Sequence, residues 1–186
     1  MSSMPLVWRS LLFVPANNSK FIDKAHSCAA DCIILDLEDS VPGSELEAAR
    51  AGLREAVASV SRNGADVLVR INHCEYLSDQ DIHAGVFNGV TAIMLPKVRN
   101  RLHVQSVCNA ISKREKAESM RAGAVRLVPM IETANAYFQA LQIAEADPRN
   151  IALNLGGEDF AADVNMRPDA DTLALPKQQI VIAARA

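Results

Sequence analysis

The chain has 186 residues, of which 49% are hydrophobic and 22% charged, and a formal net charge of −3. That length can bury one sizeable core, and the charge shows no bias toward nucleic acid. No run reaches membrane-spanning length, and Leu11 to Val14, close behind Arg9, is too short for a signal-peptide core. Cys28, Cys32, Cys74 and Cys108 contain no CxxC pair, so they read as ordinary reduced thiols of a cytoplasmic protein.

In chain order, short apolar runs alternate with helix-like stretches. Leu11 to Val14 ends at Pro15, after which Asn17 or Asn18 can cap a helix through Ala30. Ile33 to Leu37 runs through Asp36 into Glu38-Asp39. A helix Glu45 to Arg62 follows, with Ser44 at its start, Glu47, Arg50 and Arg54 on a solvated face, and Asn63-Gly64 closing it. Val67 to Val69 ends at Arg70 before a helix Ser78 to Phe87, and Ile93 to Leu95 ends at Pro96-Lys97 before a helix Asn100 to Met120. Leu127 to Ile131 ends at Glu132, with Thr133 capping Ala134 to Ala146. Ile151 to Leu155 passes through Gly156-Gly157 into Glu158-Asp159; Val164 to Leu175 then reads as irregular, and Lys177 to Ala186 as helix.

The runs are rich in Val, Ile and Leu without clean alternation, the pattern of parallel strands buried on both faces. Two architectures fit: a doubly wound open sheet and a (β/α)8 barrel. The first turn, Val14-Pro15-Ala16-Asn17-Asn18, lacks the glycines of a nucleotide-binding open sheet. Polar residues recur at strand ends, and a barrel brings such ends to one mouth. The expectation is therefore an α/β TIM barrel, one domain over residues 1–186, with about six β/α units present. A closed barrel of this class has eight units over ~250 residues, so the natural protein is expected to continue past Ala186.

Six segments in this order resemble one family. They are Arg9-Ser10-Leu11-Leu12-Phe13-Val14-Pro15, Leu35-Asp36-Leu37-Glu38-Asp39-Ser40-Val41 with Ala49-Arg50 downstream, Val69-Arg70-Ile71-Asn72, Met94-Leu95-Pro96-Lys97, Pro129-Met130-Ile131-Glu132-Thr133 and Gly156-Gly157-Glu158-Asp159. Together they are similar to the citrate lyase beta subunit and malyl-CoA (citramalyl-CoA) lyase family of the metal-dependent 2-oxo-acid aldolases. Two positions depart from its pattern: Ala16 replaces the usual Gly, near the phosphate or pantetheine region, and Leu46 stands where a Lys commonly precedes Ala49-Arg50. The resemblance implies Mg2+ held by Glu132 and Asp159, and a substrate carboxylate gripped by Arg70. It also implies a homo-oligomer, a trimer or hexamer, and a further acid from the C-terminal part, contributed by a neighbouring subunit, that protonates an acetyl enolate.

The chemistry supports that assignment from the residues. Cleaving a carbon–carbon bond beside a 3-hydroxyl needs a Lewis acid, a cation for the neighbouring carboxylate and a base for the hydroxyl proton. Two carboxylates, with substrate oxygens and water, are how Mg2+ is usually held. Glu132 also stands to contact substrate. Arg70 has a second reading, an ion pair with Asp36 or Glu38. Glu38 and Asp39 are candidates for orienting water or relaying the hydroxyl proton, and alternation puts Asp36 and Glu38 on the barrel side. Lys97 admits a Schiff-base aldolase reading. His26, His83 and His103 fall on helices, while His73, just after Arg70-Ile71-Asn72, is a weak site candidate. An acid-His pair marks the free-acid aldolase branch; here Glu38 precedes Asp39, which points to acyl-thioester lyases. The expected activity is Mg2+-dependent cleavage of citramalyl-CoA, malyl-CoA or a citryl thioester to a 2-oxo acid and an acetyl thioester. The alternatives are the beta subunit of a citrate lyase complex using an acyl carrier protein, a free-acid aldolase, and a truncated, non-catalytic assembly subunit.

Overall fold

The computed structural model describes residues 7–186. Six parallel strands lie in the order β1-β2-β3-β4-β5-β6: β1 (Leu11–Pro15), β2 (Cys32–Asp36), β3 (Asp66–Arg70), β4 (Ala92–Leu95), β5 (Arg126–Ile131) and β6 (Asn154–Leu155). Sequential parallel order with helical crossovers is the winding of a β/α barrel, and the sheet curls in that manner. Among the described residues β6 does not pair with β1.

The missing alternation in the strands has a simple cause. One face carries Ile34, Leu68, Met94, Val128 and Met130 into an inner cluster, with Trp8 packed against it. The other face carries Ile33, Leu35, Val67, Val69, Ile93 and Leu127 into a larger cluster beneath the helices. Both faces being dry, neither tolerates a polar residue until the strand ends. On β1 the inner-side residues Leu11 and Phe13 remain exposed.

The helices are α1 (Ser19–Ala25), α2 (Leu46–Val60), α3 (Glu75–Gly85), α4 (Arg101–Ala117), α5 (Ala134–Phe138), α6 (Ala140–Ala144), α7 (Gly157–Asp163) and α8 (Ala170–Arg185). At three helices the expected capped starts hold. The Asn18, Asn100 and Thr133 side chains accept from the backbone N–H of Phe21, His103 and Ala136. Elsewhere the structure corrects the reading. Helix α1 stops at Ala25, and a 3-10 turn with left-handed Ala29 follows it. Helix α3 begins at Glu75, not Ser78, because Cys74 starts it without a side-chain cap to betray it. Ser44 lies in a 3-10 turn ahead of α2. The expected single helix Ala134 to Ala146 breaks at Gln139 into α5 and α6. Val164 to Leu175 is largely helical: Asp169 accepts from the Thr172 N–H at 2.9 Å, α8 starts at Ala170, and Pro176 sits inside it. Among the described residues no helix is long and apolar enough to cross a membrane.

Arg50, expected on a solvated face, is instead largely buried. Its Nε donates to Asp81 Oδ1 at 2.6 Å, and Asp81 is fully buried. A second inward ion pair joins the end of α4 to the segment before β6: Arg149 Nη1 and Nη2 donate to Glu115 Oε1 and Oε2 at 2.9 and 2.7 Å. Glu115 also accepts from the N–H groups of Gly123 and Val125, at 3.0 and 2.8 Å. Removing one partner strands the other charge in the interior, whereas removing both does not. Arg149→Met should therefore lower stability to urea by about 3 kcal/mol, and Arg149→Met with Glu115→Leu should recover most of it. Equilibrium unfolding of the two variants checks both.

Candidate active site

The carboxyl ends of β2 to β5, with the start of α7, set seven charged side chains around one mouth. Asp36 ends β2 and Arg70 ends β3, directly opposite it in the register. Their side chains point inward and form a buried bidentate pair, Arg70 Nε to Asp36 Oδ1 at 2.6 Å and Nη2 to Oδ2 at 2.7 Å. Asp36 further accepts from the Glu38 N–H at 2.9 Å, and from the Ser40 N–H at 3.1 Å as well as the Ser40 hydroxyl. Burial opposes its charge, but these donors and the guanidinium hold its pKa below the usual carboxylate range. Burial likewise opposes the charge on Arg70, and Asp36, Glu38 and Asp39 outweigh it to raise its pKa.

Thus the ion-pair reading of Arg70 is realised at one edge of its fork. The other edge, Nη1, lies 3.1 Å from Asp39 Oδ2 and 3.4 Å from Glu38 Oε2, and the guanidinium carbon sits 4.9 Å from the centre of the Phe13 ring. Glu38 follows the expected alternation: its side chain is 4% exposed, whereas that of Asp39 is 56% exposed. Glu38 Oε1 is 3.0 Å from His73 Nδ1 and 3.4 Å from Lys97 Nζ, while Oε2 is buried without a hydrogen-bond partner.

Glu132 follows β5 and is 3% exposed. One of its oxygens accepts from the Lys97 backbone N–H. Its carboxyl packs so closely on Gly156 that a Cβ there would come within 2.5 Å of its Cγ and Oε1. Burial is the main reason its pKa rises to about 7; the negative charges of Glu38 and Asp159 add to the rise, against the pull of Lys97. Asp159 stands in the first turn of α7, one turn past the two-residue β6, and not at a strand end as the sequence suggested. Lys97 lies between the two banks of carboxylates, its Nζ 3.4 Å from Glu38 and 3.5 Å from Asp159. Burial works against the Lys97 charge, but Glu38, Asp159 and Asp39 prevail and raise its pKa.

A cavity of about 280 Å³ opens here, lined by Lys97, Glu132, Thr133, Asp159, Ala162 and Asp163. Larger hollows of about 600 and 940 Å³ lie between helices α3 and α4 and between α2 and α3, and touch none of the charged mouth residues. Among the described residues no three His, Cys, Asp or Glu side chains cluster closely enough to hold a metal between them. The donors present fit a hard cation that takes two protein carboxylates and completes its shell with water and ligand oxygens. Glu132, half satisfied and kept open by Gly156, and Asp159 are the two carboxylates of the mouth that line this cavity.

The mouth also depends on residues to which the sequence reading gave no role there. Asn72 donates its N–H to Asp81 Oδ2 at 2.7 Å, and its side-chain amide to the same oxygen and to the Leu37 carbonyl, both at 2.8 Å. Arg50 and Asp81 thereby brace the loop after β3 against the β2 end that carries Asp36 and Glu38. The Gly156 contact and the Asp81 brace left no trace in the strand-end pattern. The Asn72 position did sit in the quoted Arg70-Ile71-Asn72 segment.

The fold and the mouth define a β/α-barrel type of protein with an acidic rim at the carboxyl ends of its strands. The profile of the HpcH/HpaI aldolase/citrate lyase family matches residues 9–186, and the chain belongs to that family. A citrate lyase subunit beta from Leuconostoc mesenteroides subsp. cremoris is 33% identical over 181 residues, covering 96% of this chain and 60% of its own length. A (3S)-malyl-CoA thioesterase from Cereibacter sphaeroides is 33% identical over 170 residues, 90% of this chain and 55% of its own. A citrate lyase beta subunit from M. tuberculosis complexed with oxaloacetate and magnesium superposes with a TM-score of 0.70 at 28% identity, over 94% of this chain and 73% of that one. The chain thus spans about 60% of the length of the first of these curated relatives.

Because the folded Glu132 pKa of about 7 lies above the ordinary 4.5, folding binds its proton more tightly. Its contribution is fully favourable below about pH 4.5 and is lost as pH rises through 7. Without added metal, stability should fall by on the order of 3 kcal/mol across that window, at 1.36 kcal/mol per pKa unit. Glu132→Gln should flatten the fall, which urea unfolding at several pH values measures.

Proposed function

We propose that this protein is a Mg2+-dependent carbon–carbon lyase acting on a 3-hydroxy-3-carboxyl acyl thioester. Citramalyl-CoA, malyl-CoA or a citryl thioester would yield pyruvate, glyoxylate or oxaloacetate with an acetyl thioester. The observation that carries the reading is the buried, singly hydrogen-bonded Glu132 beside Asp159 in the mouth cavity. Family membership and the magnesium and oxaloacetate in the M. tuberculosis relative support it. The protein is read as cytoplasmic and as a homo-oligomer.

Glu132 and Asp159 would hold the metal, which when bound supplies Lewis-acid polarisation of the substrate hydroxyl and carboxylate. The Nη1 edge of Arg70, which a ligand would share with Asp39 and Glu38, binds the carboxylate of the 2-oxo-acid half, with Asp36 fixing the guanidinium plane. Glu38, whose unpartnered Oε2 is buried in the mouth, accepts the hydroxyl proton, and Asp39 orients water at the exposed side. As that proton leaves, the hydroxyl carbon becomes a carbonyl and the cleaved bond's electrons pass to the thioester as an enolate. A proton donor must then quench the enolate to the acetyl thioester. Asp36, Glu38, Arg70 and Glu132 are buried and act in a low dielectric, where fixed groups act most strongly, while Asp39 and Asp159 stand toward solvent.

A panel of the three CoA thioesters with Mg2+, scored for the 2-oxo acid released, tests the reading. Release of free CoA without a 2-oxo acid would mean thioester hydrolysis instead, and cleavage of free 4-hydroxy-2-oxo acids alone would mean the aldolase branch. Glu132→Ala and Asp159→Ala should each lose more than about a hundredfold in kcat. EDTA should silence the protein, and borohydride with substrate should trap no adduct on Lys97. Arg70→Lys, which keeps charge but loses the fork, should lower kcat/KM about a hundredfold. It should also destabilise the fold through Asp36, so unfolding and kinetics are measured together.

A further inference from the structure

Lys97 carries a backbone conformation that helix ends do not explain. Its φ is +46°, and the other described non-glycine residues with positive φ, Ala29, Ser119 and Asn165, each follow a helix C-terminus, where the left-handed region is customary. Lys97 instead follows Pro96 at the end of β4. An unbranched residue with a Cβ is disfavoured there, and such outliers persist where the surroundings hold them. Two things hold this one. The turned backbone aims the Lys97 N–H at Glu132, and the side chain crosses the mouth to three carboxylates, Glu38 Oε1 at 3.4 Å, Asp159 Oδ2 at 3.5 Å and Asp39 Oδ1 at 4.0 Å.

These distances are those of a shared cation. None approaches the roughly 2.8 Å of a tight charge-assisted hydrogen bond, and the three acids come from two separate banks, the loop after β2 and the start of α7. The other cation of the mouth is committed: two nitrogens of Arg70 are taken by Asp36. The charges facing the Lys97 ammonium are therefore Glu38 and Asp39 from the β2 end, Glu132 from the β5 end and Asp159 from α7. Arg70 from the β3 end stands on the far side of Glu38 and Asp39, and His73 touches Glu38 from the loop after β3.

We propose that the Lys97 ammonium is a built-in counter-cation of the acidic mouth, which competes with a divalent metal for Asp159 and so sets the metal affinity of the Glu132–Asp159 pair. The inference rests on the metal reading above. Without metal, Lys97 bridges the two banks and offsets the mutual repulsion of their carboxylates. When a metal takes Asp159, the ammonium gives up that contact and keeps Glu38 and Asp39, whose bank remains negative. Its flexible four-carbon stem permits the shift while its backbone N–H stays on Glu132. Lys97 is thus a positioning residue that trades places with the metal, distinct from a covalent amine.

The test is Mg2+ titration by calorimetry on the purified protein, with melting curves in EDTA and in saturating Mg2+. Lys97→Met removes the charge and keeps the backbone donor; Lys97→Arg keeps the charge. Met at 97 should tighten Mg2+ binding by about tenfold or more, as expected when a unit positive charge a few ångströms away is removed. The same variant should melt below the wild type in EDTA and regain the deficit in Mg2+, and Arg at 97 should stay within about threefold of wild-type affinity. Equal affinity in wild type and Lys97→Met, or weaker binding in the latter, overturns the inference and leaves the metal reading standing. No Mg2+ binding by either protein overturns both. Binding by Lys97→Met alone supports both.

Discussion

Five carboxylates, Asp36, Glu38, Asp39, Glu132 and Asp159, meet at one rim where, among the described residues, only Arg70 and Lys97 bring fixed positive charge. Burying unbalanced charge is among the costliest things a fold does, and the rest of the site follows from how that cost is met. The deepest acid, Asp36, takes one whole edge of the better cation, through two hydrogen bonds from a planar fork, and accepts three more from its own loop. Its neighbours receive what is left over. Glu38 keeps one oxygen unpartnered, and Glu132 is pushed toward neutrality.

That uneven distribution leaves Glu38 and Glu132 without a full set of partners. A rim in which every acid had its own arginine would be stable and inert. Here Asp36 is locked as scaffold, so the guanidinium plane is fixed in advance, and the half-satisfied Glu132 lines the cavity. Glycine at position 156 belongs to the same logic: any side chain would collide with the Glu132 carboxyl and close the space beside it. The brace from Arg50 through Asp81 and Asn72 does for the loops what Arg70 does for the strands. It ties the β2 and β3 ends together away from the cavity, using a carboxylate buried wholly for that purpose.

Strand identity and order were legible in the sequence because each strand is buried on both faces, leaving unbroken apolar runs that stop only at the rim. The rim residues were legible for the same reason: a polar group is tolerated only where the run ends, so Arg70, Lys97 and Glu132 announced themselves by position. Helix starts were legible where an Asn or Thr side chain caps the first turn. They were missed at Cys74, which offers no such acceptor, while Pro176 masked a helix whose Asp169 cap was in plain view.

Partnership belonged to the tertiary structure alone. Arg50 and Glu115 sit in helical patterns that suit water, and only the packing of α2 on α3, and of α4 against the segment before β6, turns them inward to Asp81 and Arg149. Likewise the sequence placed Arg70 at a strand end but left open whether it meets Asp36 or a ligand, since that turns on strand register, which pairs position 36 with position 70. Pattern along a chain reports burial, because burial is decided residue by residue with a fixed period. It does not report which charges face one another across tens of residues, and at this rim that pairing sets which carboxylates are left without a full set of partners.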